Sequence, residues 1–473
     1  MGRNMRLTPN GTAPILLNRN RRTEGPVLSL YPKLLQLQEN GTPIRVGMIG
    51  AGKFGSMFLA QARKLPGVQI VGIADLSVER ARSNLEFIGW PSDALTAPSA
   101  EQAAASGSIF ITEDFRSLTT SPFIDIMVEC TGDPIAAVDH IVDSFAHDKH
   151  VVNVTVEADS YCGAGLARRA RDAGVLYSLA YGDQPALAAE LVDWARCCGF
   201  HVMAAGRGHK WQPHFRLSTP ETVWDHWGLT AEQAERGRLN PKMFNSFLDG
   251  SKPAIESAAL ANATGLAVPG NGLAFPAGDV ESIPDLMRPR AEGGALESPG
   301  MVEVISSLRE DGSHVGYDIR QGIWVCVEAD TDYIRNCFEE YGVVTDSSGR
   351  YSAMYKRFHL IGLELGMSVA HVGARGETTG TPSHFIGDVC AVSKGQLRAG
   401  TVLDGEGGAT VYGGLRPAQQ STAGRYLPLG LSHGAVLKRD IALDEIITLD
   451  DVEIDSSPLA FTLRAETEAL LKD

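Results

Sequence analysis

Residues 44–55 read IRVGMIGAGKFG, followed by SMFLAQARKL at 56–65 and VQIVGIAD at 68–75. An apolar run, a glycine turn, a helix-period segment and a second apolar run predict strand, turn, helix, strand. Gly50 permits the tight turn, Gly52 lets backbone approach a bound group, and Gly55 lets the helix pack against the strand. The N–H groups of Ala51, Gly52, Lys53 and Phe54, at the positive end of the helix, suit a diphosphate. Asp75 ends the second strand at the distance expected of a carboxylate that takes ribose hydroxyls. The expectation is therefore a Rossmann unit for a nicotinamide dinucleotide, the plainer alternative being a bare turn with Asp75 capping the next helix. Asp75 points to NAD(H). Ser77, Arg80 and Arg82 would meet a 2′-phosphate if that carboxylate turned aside, so the choice between NAD(H) and NADP(H) stays open.

Working outward, apolar runs at 124–129 and 151–154 continue the βαβ rhythm and predict a parallel sheet covered on both faces. VECTG, 128–132, ends one of these strands at the ligand-binding edge of such a sheet, so Cys130, Thr131 and Gly132 are expected beside the nicotinamide ribose. A helix over 185–198, a strand over 200–205 and a long mixed region to residue 372 predict a second unit. Its Pro- and Gly-rich stretch, 268–300, reads as an ordered excursion. VSKGQLRAGTVLD from Val392 and VLKRDIALDEIITLD from Val436 form a weak internal repeat around GEGGATVYGGL, predicting paired β-hairpin units. The fold class expected is α/β: a dinucleotide-binding domain at 45–182, an α+β catalytic and oligomerisation domain at 183–372, a returning helix at 373–396 and a small, mostly β domain at 397–473. Residues 1–44 read as an N-terminal extension with a helix over 28–38.

The chain has 473 residues, 44% of them hydrophobic and 21% charged, which suits a globular protein of about three domains. A net charge of -15 disfavours nucleic acid as a partner. Seven cysteines without CxxC spacing read as reduced thiols of a cytoplasmic protein. No apolar run approaches the roughly 20 residues of a membrane span. Arg19, Arg21 and Arg22 read as a solvated terminus rather than a targeting signal.

The order of motifs resembles homoserine dehydrogenase over residues 45–396, through VECTG, HVVNVTVEA from His150, AYGDQP at 180–185 and GETTGTPSHFIGDVCAVSK from Gly376. The resemblance implies that this last stretch is a helix covering the nicotinamide. It also aligns Lys252 and Glu256, in FLDGSKPAIESAALANATG, with that family's catalytic aspartate and lysine, charges exchanged, and Val156 with a lysine. Those departures argue against homoserine as substrate. RVGMIGAGKFG, AYGDQP, HLIGLELG, LDGEGG and LPLGLSHG, with a SAF-like tail (named for antifreeze and sialate synthase ends), are similar to the 1-deoxy-D-xylulose 5-phosphate reductoisomerase-like proteins. That likeness implies NADPH-dependent conversion of 1-deoxy-D-xylulose 5-phosphate to 2-C-methyl-D-erythritol 4-phosphate, an isoprenoid precursor. The alternatives are a dehydrogenase of another hydroxy acid or sugar derivative, and a cofactor-sensing or assembly protein.

Such chemistry needs cations for phosphate, an electrophile for an enediolate-like oxygen and a proton shuttle. Gly206-Arg207-Gly208-His209-Lys210 reads as a basic loop, with Lys210 catalytic and Arg207 and His209 binding substrate. Lys252 and Glu256, one helical turn apart, either pair with each other or both address substrate. Asp183 is a catalytic candidate that competes with helix capping, and Gln184 a substrate-binding one. His209, His214 and Asp183 offer metal ligands without a recognised spacing, so a divalent metal stays open. The expected partners are a small, phosphorylated substrate and further copies of the chain, as homodimer or homotetramer. Lys438, Arg439 and Asp440 give the tail a structural or assembly role.

Overall fold

The computed structural model describes residues 29–471 except residue 238. The expected N-terminal extension lies outside these residues up to position 28, including Arg19, Arg21 and Arg22. The helix expected over 28–38 runs Leu30–Glu39.

The first six strands are β1 (Ile44–Ile49), β2 (Val68–Ala74), β3 (Phe110–Thr112), β4 (Ile126–Glu129), β5 (His150–Asn153) and β6 (Tyr177–Leu179). They form one parallel sheet in the order β3-β2-β1-β4-β5-β6. β4 is buried at every position, the pattern of a strand covered on both faces rather than of an alternating half-exposed one. Helices Lys53–Ala62 and Val78–Phe87 pack on one face, and Pro134–Ala146 and Val156–Ala173 on the other. The order in which strands are added reverses between β1 and β4, and a crevice at the carboxyl ends of strands forms at such a switch.

A second sheet holds β7 (His201–His209), β8 (Met301–Ser306), β9 (Ile323–Glu328) and β10 (Tyr351–Lys356) in the order β10-β9-β7-β8. β7 continues through the segment expected as a basic loop. A Cβ on Gly206 or Gly208 would fall on the carbonyls of Glu303 or Ile319. These glycines therefore serve close backbone packing inside a sheet, not loop flexibility.

The helix expected within 373–396 is absent. Residues 377–386 are irregular and Gly387–Ser393 is strand β11, antiparallel to β12 (Val411–Pro417). Thr379 and Gly380 instead line the free side of β6, where Leu179 N–H donates to the Gly380 carbonyl at 2.8 Å. A segment carrying three β-branched threonines, Gly380 and Pro382 has little to gain from a helix. The repeated segments pair with each other through bridges Leu397–Ile441 and Val402–Val436, and a short ladder joins β13 (Val436–Leu437) to β14 (Val452–Glu453). The fold is α/β as expected: a Rossmann-like parallel sheet, a separate mixed sheet and small β units.

The chain closes with helix Leu459–Ala469, which returns to the first domain against Val156–Ala173. Arg464 donates to both oxygens of Asp388, at 2.9 and 2.6 Å, and both side chains are buried. Removing one member of a buried pair strands the other's charge. Arg464→Ala is therefore expected to cost about 3–5 kcal/mol in denaturant unfolding, whereas Arg464→Met combined with Asp388→Leu recovers much of that loss.

Candidate active site

At the first βα turn Gly50 has φ +94°, and a Cβ there would lie 2.7 Å from the Cys130 carbonyl oxygen. A Cβ on Gly55 would lie 2.9 Å from the Gly50 carbonyl. Gly52 differs, because nothing stands within 4 Å of its Cβ position. Two glycines thus satisfy the protein's own packing and the third faces open space. The helix beginning at Lys53 has no side-chain cap and no acid in its first turn, so its leading N–H groups remain suited to an anionic ligand. Lys53 is exposed at this edge, and Phe54 packs into the core.

Asp75 is buried and already engaged. It accepts from Ala51 N–H at 2.9 Å and Ser77 N–H at 3.2 Å, and pairs with Arg80 at 2.5 Å. Ser77, not Asp75, caps helix Val78–Phe87. Arg80 remains mostly exposed, whereas Arg82 is turned toward the Leu95 carbonyl. A cation, not a free carboxylate, therefore stands at the end of β2.

At the end of β4, buried Glu129 organises the neighbouring turns. It accepts from the hydroxyls of Thr131, at 2.6 Å, and Thr155, and contacts His140 Nδ1 at 3.2 Å. Gly132 N–H donates to Thr155 Oγ1 at 3.0 Å. Thr131 and Gly132 lie exposed on the sheet edge. Cys130 packs beneath the glycine turn, its Sγ 2.9 Å from the Gly50 carbonyl, and burial pushes its thiol well above the usual range. Deeper, Asp159 accepts from Tyr177 Oη at 2.6 Å and Asn153 Nδ2 at 2.9 Å. Burial outweighs both bonds and raises Asp159 to about 8.

The second cluster centres on the buried helix Ser251–Thr264. Lys252 and Glu256 do not pair with each other. Lys252 Nζ meets Glu157 at 2.5 Å and Glu256 meets Arg207, so one helix face binds a first-domain helix and β7. Burial alone would lower the Lys252 pKa, but the charges of Glu157, Asp183 and Glu406 together raise it. Asp183 caps helix Gln184–Cys197 by accepting Gln184 N–H at 3.0 Å, and burial raises its carboxyl although Lys252 opposes this. Capping and proximity to Lys252 thus belong to the same residue. Burial, then Glu157, push Glu406 up to about 8. The Gln184 side chain is 2% exposed, and neither its nitrogen nor its oxygen has a partner.

Arg207 is buried and its pKa lowered to about 9 by burial, which leaves it a cation at neutral pH. His209 is pushed down to about 3 by burial and by Arg207. Neutral, it donates from Nε2 to the Phe247 carbonyl at 2.6 Å and turns Nδ1 toward Arg207 at 3.4 Å. Lys210 leaves this group: its Nζ donates to the His226 carbonyl at 2.7 Å and lies over the Trp227 ring. Strand alternation puts Arg207 and His209 on one face, and Lys210 lies past the strand's end. Of the three basic groups Arg207, Lys210 and Lys252, Lys210 thus stands apart, while Arg207 and Lys252 both act on Asp183. His209 and His214 do not join Asp183, and among the described residues no three His, Cys, Asp or Glu side chains form a group fit to hold a metal.

Glu157 and Glu406 were not singled out by sequence reading, although both lie in quoted motifs, HVVNVTVEA and LDGEGG. Glu406 brings the C-terminal segment beside Glu157 and Lys252. Its loop is held to the second unit by Asn245 Nδ2 on the carbonyls of Gly407 and Gly408, and by Lys394 Nζ on the Gly408 carbonyl at 2.6 Å.

Residues 182–365 match the family described as "Oxidoreductase DRL, catalytic domain". No curated protein matches the chain. Solved structures similar to it include biliverdin reductase of Synechocystis sp. PCC 6803, at 20% identity and TM-score 0.25 over 36% of this chain and 49% of that one. Myo-inositol dehydrogenase of Lactobacillus casei matches at 15% identity and TM-score 0.26 over 39% and 52%. The Bacillus subtilis protein yvaA matches at 14% identity and TM-score 0.34 over 72% and 91%. The chain spans about half the length of the first two. No helix among the described residues is long and apolar enough to cross a membrane. The matched segment begins beside Asp183.

Asp159 makes this edge pH-sensitive. Its folded pKa, about 8, stands above the ordinary carboxylate value of 3.8, so its contribution is fully present below about pH 4 and is lost as pH rises through about 8. Melting temperature measured from pH 5 to 9 is expected to fall more steeply in the unaltered protein than in Asp159→Asn, whose baseline is lower but flatter.

Proposed function

We propose that this oxidoreductase uses NADP(H) to interconvert a carbonyl and a hydroxyl on a small polar substrate held between the carboxyl edge of the first sheet and Lys252. The observation that carries the reading is Lys252, a mostly buried ammonium among three carboxyl groups from three parts of the chain. Gly50, Ala51, Gly52, Lys53, Phe54 and Gly55 would hold the diphosphate and Thr131 and Gly132 the nicotinamide ribose, with Cys130 supporting the turn from below. When bound, the nicotinamide supplies or accepts hydride. Arg80, with Asp75 turned inward, supports NADP(H) over NAD(H).

The charge on Lys252 suits it to stabilise negative charge developing on a substrate oxygen. Asp183 and Glu406, both raised toward neutrality, suit proton transfer to or from that oxygen. Gln184 offers an unused donor and acceptor for a substrate hydroxyl. Arg207 and His209 are spent on Glu256 and the Phe247 carbonyl, so they shape the wall instead of grasping an anion.

Reductive isomerisation of 1-deoxy-D-xylulose 5-phosphate is the narrower reading, and the family likeness supports it. The departure of Lys210 from Arg207 and Lys252 weighs against a three-cation phosphate cradle and favours a dehydrogenase of another hydroxy acid or sugar derivative. The match to an oxidoreductase catalytic domain weighs against a purely sensing or assembly role. Self-association through the second sheet belongs to this proposal, supported by Met354, Tyr355 and Phe358 exposed on and beside β10.

Lys252→Met is expected to lower kcat by about 10²- to 10⁴-fold while NADPH affinity, measured by fluorescence titration, stays unchanged; retained turnover would remove the lysine from the chemistry. Arg80→Ala is expected to weaken NADPH about 10- to 150-fold and NADH far less, the loss of a charged hydrogen bond. NADPH absorbance followed with 1-deoxy-D-xylulose 5-phosphate and a divalent metal, beside homoserine and a panel of polyols and hydroxy acids, separates the substrate readings. Oxidation with the sugar phosphate alone would reinstate the reductoisomerase.

A further inference from the structure

A second cavity, of about 110 Å³, opens where the start of helix Ser251–Thr264 meets β12 and the excursion near residues 271–275. Ala254 lines it, and residue 254 lies about 200° around the helix from Lys252. The cavity is therefore on the far side of that helix from the cluster described above, and the dinucleotide reading does not use it.

Its chemistry is specific. Trp211 and Phe275 stack with centroids 4.2 Å apart and planes 17° from parallel. Trp211 Nε1 is buried without an acceptor, in a residue only 6% exposed. Arg216 lies 5.1 Å from the Trp211 ring centroid and 6.0 Å from that of Tyr412. Arg416 donates one nitrogen to its neighbour's carbonyl, Leu415, at 2.7 Å. Among the described residues, no ion pair engages either arginine. Both lie near one point, since each acts against the rise that burial gives the Tyr412 hydroxyl. The two nearby acids are engaged: Asp249 with Lys394 at 2.7 Å, and Asp444 with the Tyr412 hydroxyl at 3.0 Å.

We propose that this cavity binds a small planar carboxylate. Two guanidinium forks and an indole N–H provide donors for the two oxygens of one carboxylate, and the stacked aromatic wall takes a flat apolar body. The cavity's volume of about 110 Å³ limits it to a small ligand.

Calorimetric titration of the full chain with benzoate in low-salt buffer tests this, with inorganic phosphate and cyclohexanecarboxylate as parallel probes. One benzoate per chain is expected to bind with Kd below about 1 mM, more tightly than either other probe. Arg216→Gln and Arg416→Gln are each expected to weaken it at least about tenfold. Trp211→Phe, which keeps a stacking ring and deletes the N–H, is expected to weaken it severalfold, and NADPH binding stays unchanged in all three variants. The proposal is overturned by the absence of saturable benzoate heat, by equal binding in the two arginine variants, or by phosphate binding as tightly as benzoate.

Discussion

Two buried ion pairs on one helix hold the units of this molecule in register. Lys252 and Glu256, one turn apart on Ser251–Thr264, reach Glu157 of the first domain and Arg207 of β7 respectively. A buried charge without its partner is strongly destabilising, so neither pair tolerates a rotation or slide of one unit against the other. The helix can occupy this position because half of it is alanine or serine and it is buried nearly all round. Its far end adds neutral ties: Asn262 Oδ1 accepts the N–H groups of Ile386 and Gly387, and its Nδ2 donates to the Gly387 carbonyl.

The reactive character of the candidate site follows from this arrangement. Glu157 arrives on a first-domain helix, Asp183 at the link between domains and Glu406 on a loop of the C-terminal β units. Burial drives Asp183 and Glu406 toward their neutral forms, while their remaining charge keeps the lysine cationic. A cluster assembled from three separate segments is sensitive to every contact that positions them. The buried Lys394–Asp249 pair, 2.7 Å apart, also anchors the Gly408 carbonyl and so steadies the loop that carries Glu406.

The glycines show how similar local signals carry different physical meanings. Gly50, Gly52 and Gly55 read as a turn that meets a ligand, and only Gly52 faces open space. Gly206 and Gly208 read as loop hinges beside three basic residues, yet they lie inside a strand pressed on the carbonyls of Glu303 and Ile319. A glycine reports that a Cβ is unwelcome; the neighbour that makes it so is remote in sequence.

The parallel sheet, its crossover helices and the dinucleotide turn were legible because their causes are local. Strand and helix periods repeat within a dozen residues, and the turn needs its glycines at fixed spacing. Partner choice among charges was not legible. Spacing placed Lys252 and Glu256 on one face, and a bond between them was the simplest local solution, but burial against two different elements gave each a partner far away, 95 residues for Lys252 and 49 for Glu256. The inward turn of Asp75, the departure of Lys210 from the basic cluster and the arrival of Glu406 have the same origin. Each side chain settled where desolvation was best compensated, and that is a property of the packed interior, not of a stretch of chain.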